Sequence, residues 1–400
     1  MTARPASRAP RRRGPGRATL ALVYLAFLWL LGEAAAAALA WLPATRASLF
    51  SDGDAFVAQL QGAEPRYREF LAGRYDGVLG WDNPRGGTGT FPACGGGTVT
   101  ATYLDDRSRW TGDAGAGPSI LAVGDSYTRG DGVPDGASYP AQLARLLGRP
   151  VVNHGVGGYG PVQAVLKFQR VARQYPGARS AVLGIVDDDL FRMLNSYRPV
   201  YFPNTAGMFA FQPYMRGAVR QPNPNGPEPA AYPELLARVR RAFREDYWAL
   251  AAPRFPYSWA LLDSLARPGT RLRLLALVDF ARVLGAPEIR TALGAVLEEF
   301  VASAEDAGIA PVILFIPHAP AYRGVFDALV VELGRRFGLR AVVAAVHDAR
   351  YGWDRYLLHP HCHPTPYGYG MIAEEAARAI RDAEARGGAG PRSPPRAPTP

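Results

Sequence analysis

A serine, a late cluster of histidines and a run of aspartates are the residues of this chain whose types and spacing could do chemistry. Ser126 stands in the stretch GDSYT, directly after a short apolar run. A serine at such a place either begins a helix as its N-cap or, when a base takes its proton, acts as a nucleophile. The tripeptide GDS alone leaves both roles open.

A nucleophilic serine needs a base, and the histidines supply the candidates. Of the six histidines in the chain, His363 lies in a proline-rich loop that leads into a helical pattern near Tyr369. Pro364 and Pro366 restrict that loop, because proline fixes its own φ angle. His363 is therefore a candidate base for Ser126, and the N-cap role of the serine stays open at this point.

These side chains need a scaffold, and five short apolar runs predict one. The runs are SILAVGD, PVVNHG, SAVLGIV, PVILFIP and RAVVAAV, which begin at residues 119, 150, 180, 311 and 340. They do not alternate apolar and polar residues, as expected for strands buried on both faces. Helical patterns such as YPAQLARLLG and VFDALVVELGRRFG lie between the runs, so we predict a parallel sheet covered by helices on both sides. Ser126 would lie at its carboxyl edge, where ligands gather and a helix N-terminus stabilises an oxyanion.

The order of these motifs resembles that of the SGNH (GDSL-type) hydrolases, over about residues 117–385. GDSYT is similar to the first block of that family, NHGVGG to the second and HPTPYGYGMIAEE to the last. The resemblance implies that Ser126 is the nucleophile, that His363 is the base, and that the N–H groups of Ser126 and Gly158 form the oxyanion hole. It also implies a flavodoxin-like three-layer α/β/α sandwich with about five parallel strands, and no cofactor.

The chain departs from the family pattern just before the candidate base. The family has an aspartate two or three positions ahead of this histidine, whereas His361 and Pro360 stand there in this chain. Asp354 lies nine residues ahead and could replace that aspartate only if the loop folds over. Otherwise a backbone carbonyl or another side chain must set the tautomer of His363, and the site would be a Ser-His dyad.

A second departure lies in the stretch LGIVDDDLFR. The third block of the family has an asparagine whose amide donates to the oxyanion, and the resemblance makes Asp189 its best match, with Asp188 next. An ionised carboxylate has no proton to donate. We expect mutual repulsion among the three aspartates to keep one protonated, although Arg192 nearby favours ionisation. The alternative is that these acids cap a helix and pair with arginine.

The two cysteines and the neighbouring histidines allow two further interpretations. Cys94 and Cys362 could form one disulfide that clamps the loop of His363, or could be two unpaired core residues, and their spacing does not decide. Alternating His359, His361 and His363 could share a zinc ion. No second cluster supplies carboxylates at a recognisable spacing, so we predict no metal site.

The net charge of +10 is concentrated at the two ends of the chain. Residues 1–17 contain six arginines and no acidic residue, and residues 387–400 add two more arginines. The remaining body is close to neutral. Because a nucleic-acid-binding domain needs a basic surface on the folded body, we predict no nucleic-acid partner.

The stretch from residue 20 to residue 42 is apolar and long enough to cross a bilayer as a helix. Basic residues before it and few after it predict a cytoplasmic N-terminus and an exported body. A cleaved signal peptide with a small-residue site at residues 36–38 is the alternative, and Glu33 within the apolar run favours it. Either way we expect the catalytic domain on the periplasmic or extracellular side of the cytoplasmic (inner) membrane.

The composition predicts five regions along the chain. They are a basic cytoplasmic N-terminus (1–17), a transmembrane anchor or signal peptide (18–42), a juxtamembrane lead-in of short strands and turns (45–116), an SGNH hydrolase domain (117–386) with an insertion at about 193–310, and a disordered tail (387–400). The first part of the insertion is rich in proline and aromatic residues and predicts an extended surface segment. Its aromatic residues between positions 197 and 214 could stack on a sugar or form a lid, or could simply pack.

The sequence thus predicts an exported, single-pass membrane protein that hydrolyses an acyl ester as a serine esterase. The resemblance suggests an acylated envelope polysaccharide as one substrate class. Two alternatives stay open. One is an O-acyltransferase that uses the same serine, and the other is a catalytically weak polysaccharide-binding or assembly module on the same scaffold.

Overall fold

A computed structural model describes residues 16–93, 96–113, 117–202, 208–318, 323–346 and 363–387. The strands in these ranges are β1 (Tyr75–Asp76), β2 (Gly80–Trp81), β3 (Thr88–Pro92), β4 (Thr98–Thr102), β5 (Ile120–Val123), β6 (Val151–Asn153), β7 (Ser180–Val186), β8 (Tyr214–Arg216), β9 (Val219–Gln221), β10 (Ala310–Ile316) and β11 (Val342–Ala345). The first eight helices are α1 (Arg17–Trp41), α2 (Pro43–Leu49), α3 (Gly53–Leu60), α4 (Glu64–Gly73), α5 (Ser126–Arg129), α6 (Tyr139–Leu147), α7 (Pro161–Ala172) and α8 (Asp189–Arg192). The others are α9 (Arg198–Tyr201), α10 (Tyr232–Glu245), α11 (Tyr257–Ala266), α12 (Pro268–Val278), α13 (Phe280–Leu284), α14 (Pro287–Asp306), α15 (Arg323–Phe337) and α16 (Pro366–Gly387).

The central sheet consists of five parallel strands in the order β11-β10-β7-β5-β6. These are the five apolar runs of the sequence, and every residue of β5 and β7 is buried, which is why neither run alternates. The strand order is that of the flavodoxin-like doubly wound fold. The predicted α/β class with about five parallel strands is confirmed.

Helices cover both faces of this sheet, because successive side chains of a buried strand point to opposite sides. Leu121 and Val123 of β5 belong to the core formed with α7, α14 and α15. Ile120 and Ala122 of the same strand belong to the core formed with α6 and α16. The result is a three-layer α/β/α sandwich.

The direction of winding reverses between β5 and β7, and the chain packs most closely there. A Cβ atom built on Gly124, after β5, would lie 2.2 Å from Oγ1 of Thr128. A Cβ atom on Gly184, within β7, would lie 2.6 Å from the same oxygen. Both glycines are therefore needed for the short helix α5 to close over the strand ends, where ligands bind in doubly wound sheets.

The first half of the segment between α1 and the central sheet is helical, whereas short strands and turns were predicted there. Helices α2, α3 and α4 occupy residues 43–73, and only the second half forms the short strands β1 to β4. The reason is an apolar face on α3: Phe56, Val57 and Leu60 are buried in the same core as residues of α10. The sequence reading missed these helices because each is at most ten residues long.

The insertion between β7 and β10 begins as a packed segment, not as the extended surface segment that was predicted. Tyr197, Phe209 and Phe211 are buried in the main core, and the Tyr197 and Phe211 rings stack with centroids 4.3 Å apart. These three rings therefore cannot stack on a sugar. Phe202 is an exposed aromatic residue of this segment.

The N-terminal helix α1 has 25 residues, is mostly exposed, and is long and apolar enough to cross a membrane. That statement rests on its length and composition alone. Residues 1–15 and 388–400, which carry the predicted basic start and the predicted tail, lie outside the described residues.

Candidate active site

The predicted site residues lie in loops that leave the carboxyl edge of the sheet. Ser126 opens α5 after β5, Gly158 follows β6, and Asp189 opens α8 after β7. His363 lies shortly before α16, in the connection that follows β11. Carboxyl ends of parallel strands meet at one edge of a sheet, so the structure brings loops far apart in sequence to the same crevice.

Asp125, not Ser126, caps the helix that begins here. Its Oδ1 accepts a hydrogen bond from the N–H of Tyr127 at 2.8 Å. Ser126 is the first residue inside the helix, and its Oγ donates to Oδ2 of Asp125 at 3.2 Å. The N-cap alternative for Ser126 is therefore wrong, and its half-buried hydroxyl donates to the Asp125 carboxylate instead of capping the helix.

Two backbone N–H groups at this edge of the sheet have no acceptor among the described residues. Within the described ranges, neither the N–H of Ser126 nor that of Gly158 donates a hydrogen bond. The N–H of Ser126 is one of the orphan donors of a helix start. Gly158 has a φ of +83°, which a side chain would strain. Such unpaired donors are what an oxyanion requires.

Side chains from outside the sheet hold the loop of Gly158 in place. The Nη1 atom of Arg198 donates to the carbonyl of Gly158 at 2.8 Å. The indole nitrogen of Trp81 donates to the carbonyl of Gly157 at 3.0 Å. A Cβ atom on Gly157 would lie 2.3 Å from the Arg129 guanidinium, so a side chain there would displace the end of Arg129. The carbonyls of this loop are thus turned toward protein donors.

His363 approaches the first turn of α5. Its ring centroid lies 5.4 Å from that of Tyr127, the residue next to Ser126, and its Nε2 lies 3.9 Å from Oδ2 of Asp131. The structure contains no hydrogen bond between Ser126 and His363, since the serine hydroxyl is turned toward Asp125. Burial lowers the pKa of His363, and the carboxylates of Asp131 and Asp125 offset part of that effect. The imidazole is therefore neutral at neutral pH, as a general base must be.

Asp131 is the carboxylate beside His363 that sequence reasoning missed. Burial disfavours its charge, but the Arg129 guanidinium, paired with both carboxylate oxygens, holds the pKa of Asp131 below its ordinary value. Gly130, with a φ of +91°, ends α5, and the N–H of Asp131 then donates to the carbonyl of Ser126 at 3.0 Å. The signal in the sequence was this glycine, which turns the chain back toward the serine.

Asp189 is buried and is held on both oxygens. Its Oδ2 accepts from the N–H of Val186 at 2.9 Å and its Oδ1 from Nη1 of Arg192 at 2.5 Å. Burial raises the pKa of Asp189 well above its usual range, the charge of Asp125 adds to this, and Arg192 opposes it. Asp188 contributes least. The protonated form of Asp189 is therefore favoured mainly by burial and by the Asp125 charge. The repulsion that was expected within the run of three acids contributes less.

Arg192 connects the serine loop to the aspartate run. Besides Asp189 it pairs with Asp188, and its Nη1 lies 3.7 Å from Oδ2 of Asp125. Burial raises the pKa of Asp188, but the charges of Arg192 and Arg198 together outweigh this and hold that pKa below its usual value. The predicted pairing of this run with arginine is therefore present, together with the raised pKa of Asp189.

Arg198 is a second cation at this edge, and the sequence reading did not single it out. Burial lowers its pKa to about 10, so it is still charged at neutral pH. Among the described residues it has no carboxylate within ion-pair distance. A half-buried cation next to the Gly158 loop favours negative charge in the crevice.

His318 follows β10 at the same edge and contacts Asp187. Its N–H donates to Oδ1 of Asp187 at 2.9 Å, and its Nδ1 lies 3.4 Å from Oδ2. This pair links the loops after β7 and β10. The sequence offered one signal for it, a histidine directly after an apolar run.

Several predicted features lie outside the described residues. These are Cys94 and Cys362, for which a disulfide and two unpaired thiols both stay open, and Asp354, His359 and His361 near the candidate base. Each stays a prediction. In the described ranges, no three histidine, cysteine or acidic side chains stand close enough together to hold a metal ion.

Comparisons with known proteins found matches among the solved structures. No family model matches the chain, and no curated protein matches it. The chain is similar to a structure from Desulfitobacterium hafniense DCB-2 that is described as a lipolytic protein of the G-D-S-L family. The identity is 13%, the match covers 66% of this chain and 99% of that one, and the TM-score is 0.34.

Proposed function

We propose that this chain is a serine hydrolase of the SGNH type that cleaves an acyl ester, with Ser126 as nucleophile and His363 as general base. The observation that carries the proposal is the geometry around Ser126. A non-capping serine opens a helix at the switch point of the sheet, its own N–H has no acceptor among the described residues, and the neutral His363 packs against the adjacent Tyr127. Structural helix starts do not require that combination.

The reaction follows from these positions. His363 takes the proton of the Ser126 hydroxyl, and Oγ attacks the ester carbonyl carbon. The resulting oxyanion receives hydrogen bonds from the N–H groups of Ser126 and Gly158. His363 then gives its proton to the leaving alcohol, and water releases the acyl group from the serine by the same steps. Oγ must first turn from Asp125 to His363, and such hydrogen bonds commonly tighten only when substrate is bound.

Asp189 and Arg198 complete the electrostatics of this proposal. A protonated Asp189 would donate a third hydrogen bond to the oxyanion in place of the family's asparagine once its Oδ1 turns away from Nη1 of Arg192. Arg198 would lower the energy of the same negative charge through its position at the Gly158 carbonyl. The proposal uses no cofactor.

We further propose that α1 anchors the protein in the cytoplasmic membrane with the catalytic domain on its outer side. The support is the length and apolar composition of α1, together with the arginines that precede it in the sequence. An acyl ester on an envelope polysaccharide is the substrate class that fits this location.

The test compares the wild type with Ser126→Ala in the hydrolysis of an activated acetyl ester. We expect the rate to fall at least about a thousandfold, because nucleophile, base and oxyanion hole act as a unit. Equal rates would leave a binding module on this scaffold as the better account. Adding a hydroxylated acceptor then distinguishes water from a sugar hydroxyl as acyl acceptor, since a transferase yields an acylated acceptor.

A further inference from the structure

A second set of exposed apolar side chains lies next to α1. In the described ranges, twelve large exposed apolar residues are on α1 or at Leu42, and six more lie between positions 255 and 278. These six are Phe255, Trp259, Leu262, Leu265, Leu277 and Val278. Trp259 is 71% exposed and Leu262 is 59% exposed. An apolar surface of this extent is rare on a water-soluble domain unless something covers it.

The orientation of α11 explains this exposure. Ala260 and Ser264 are buried against the body of the protein. Trp259, Leu262 and Leu265 follow one another at three-residue spacing and lie on the opposite side of the helix. A surface helix ordinarily turns its large apolar side chains inward and small or polar ones outward. Helix α11 does the reverse, so we do not expect water to surround its apolar side.

Glu33 of α1 fixes α11 to the N-terminal helix. Its carboxylate accepts hydrogen bonds from the N–H of Tyr257 at 2.7 Å and of Ser258 at 3.1 Å, and the Ser258 hydroxyl also donates to it. The carboxylate therefore caps α11 at its positive end. This accounts for an acidic residue in the middle of an apolar helix, because every group of the contact is satisfied within the protein.

Two further contacts set the direction of α11. Phe255 meets Trp29 edge to face, with ring centroids 6.1 Å apart, and Ala260 shares a small core with Ala40. Helix α11 therefore runs beside the second half of α1, in the same direction. Glu33 lies nine residues before Leu42, which is about 13 Å along the helix.

These distances place α11 at a definite depth if α1 crosses a bilayer. The hydrocarbon core is about 30 Å thick, so a point about 13 Å from the end of the apolar stretch lies within its outer half. Arg254, which precedes Phe255, extends back to an ion pair with Asp54 at the start of α3. That direction turns the Arg254 charge away from the apolar side of the segment, as for an arginine that snorkels toward water, and the exposed Asp263 of α11 is paired with Arg267.

We propose that α11, together with the end of α12, is seated in the outer half of the bilayer beside α1, with lipid acyl chains against Trp259, Leu262, Leu265 and Val278. The surface is continuous with that of α1, which is why lipid is its occupant. Helices α1 and α11 then both fix the hydrolase body to the membrane surface. Its orientation does not depend on a single helix. This inference depends on α1 entering a membrane and not on the chemistry of Ser126.

The test uses the full-length wild-type protein in vesicles of phosphatidylethanolamine and phosphatidylglycerol that contain a phospholipid with a diazirine in its acyl chain. After illumination, lipid-modified peptides are identified by mass spectrometry, and hydroxyl-radical oxidation of a parallel sample reports exposure to water. We expect lipid modification within residues 255–265 and at 277–278 as well as on α1, with little oxidation of Trp259.

Leu339 provides the matched control, because it is 84% exposed and apolar but lies far from α11. Arg340, which follows Leu339, pairs with Glu305 near the end of α14. Arg271 of α12 pairs with Glu288 at the start of α14. Twenty residues of α14 span about 30 Å. Leu262→Lys should lower lipid modification of residues 255–265 severalfold while α1 keeps its modification, and Leu339→Lys should change neither.

Three results overturn the proposal. Modification of α1 alone, with Trp259 and Leu262 oxidised as readily as Leu339, shows that water covers α11. Protection of α11 from both reagents shows that a protein surface covers it, either a partner or a second copy. Loss of modification on α1 itself would mean that α1 does not enter the membrane, which removes the premise.

Discussion

Nε2 of His363 lies 3.9 Å from Oδ2 of Asp131, a residue that follows the candidate nucleophile by five positions. Asp131 is itself fixed by its pair with Arg129. The loop that follows Ser126 thus supplies a carboxylate beside His363. The residues directly before His363 in the sequence supply none. We regard Asp131 as a positioning residue, since it contacts the base and not the reacting atoms.

The first prediction concerns the pH dependence of activity. His363 must be neutral to accept the serine proton, and burial places its pKa below 6.5. The acid limb of kcat/KM for an activated ester should therefore have its midpoint below pH 6.5. A midpoint at or above pH 7 would show that a different group controls the reaction, or that negative charge around His363 raises its pKa more than burial lowers it.

Asp131→Asn should move that limb further toward acid. The Asp131 charge favours the imidazolium and raises its pKa, so removing the charge lowers the pKa. We expect a shift of about one pH unit, because a charge at this distance contributes up to about 4 kcal/mol and the Arg129 charge cancels part of it.

This variant leaves Arg129 without its partner, which costs about 3–5 kcal/mol for a buried pair. The double variant Arg129→Gln/Asp131→Asn removes both charges and serves as its control for folding by circular dichroism. A limb that stays in place in the folded Asp131→Asn variant would remove Asp131 from the site.

The esterase activity of an Asp189 variant should depend on whether the new side chain can still donate a hydrogen bond. Asp189→Asn keeps both a hydrogen-bond donor and an acceptor for the Val186 N–H, so we expect it to retain esterase activity. Asp189→Ala loses both, and a rate loss of about 100-fold or more is expected for one oxyanion donor. Asp188→Asn is the matched control, because Asp188 is a more exposed partner of the same arginine. Full activity in Asp189→Ala would exclude Asp189 from the oxyanion hole.

Lys167 and Asp82 should prove important for stability and not for chemistry. Their Nζ and Oδ2 atoms lie 2.6 Å apart, and both side chains are almost fully buried. Lys167→Met leaves a buried carboxylate unpaired and should reduce the free energy of unfolding by about 3–5 kcal/mol. The double variant Lys167→Met/Asp82→Leu should recover most of that loss in thermal unfolding. Equal losses in both variants would mean that packing, not the unpaired charge, is responsible.

The sequence was informative where local chemistry determines structure. Buried strands identify themselves by unbroken apolar runs, and the run before Ser126 therefore predicted both the sheet and the position of the serine at its edge. Gly148 likewise ends α6 in the left-handed conformation, as the pattern YPAQLARLLG predicts.

What the sequence did not predict depends on contacts between distant segments. Asp131 and His363 are brought together by a left-handed turn at Gly130 and by the docking of α16, and neither leaves a spacing pattern. Helix α3 is stable only because α10, far along the chain, covers Phe56 and Leu60. The aromatic rings of the insertion are buried for the same reason, and composition alone could not distinguish them from surface rings.

Covalent labelling with an alkyl fluorophosphonate tests the central claim most directly, because this reagent forms a stable adduct only with an activated serine. The account predicts one adduct, on the peptide that contains Ser126, which disappears in Ser126→Ala and forms much more slowly in His363→Ala. An unlabelled Ser126, or an adduct on another serine with full esterase activity in Ser126→Ala, would contradict it.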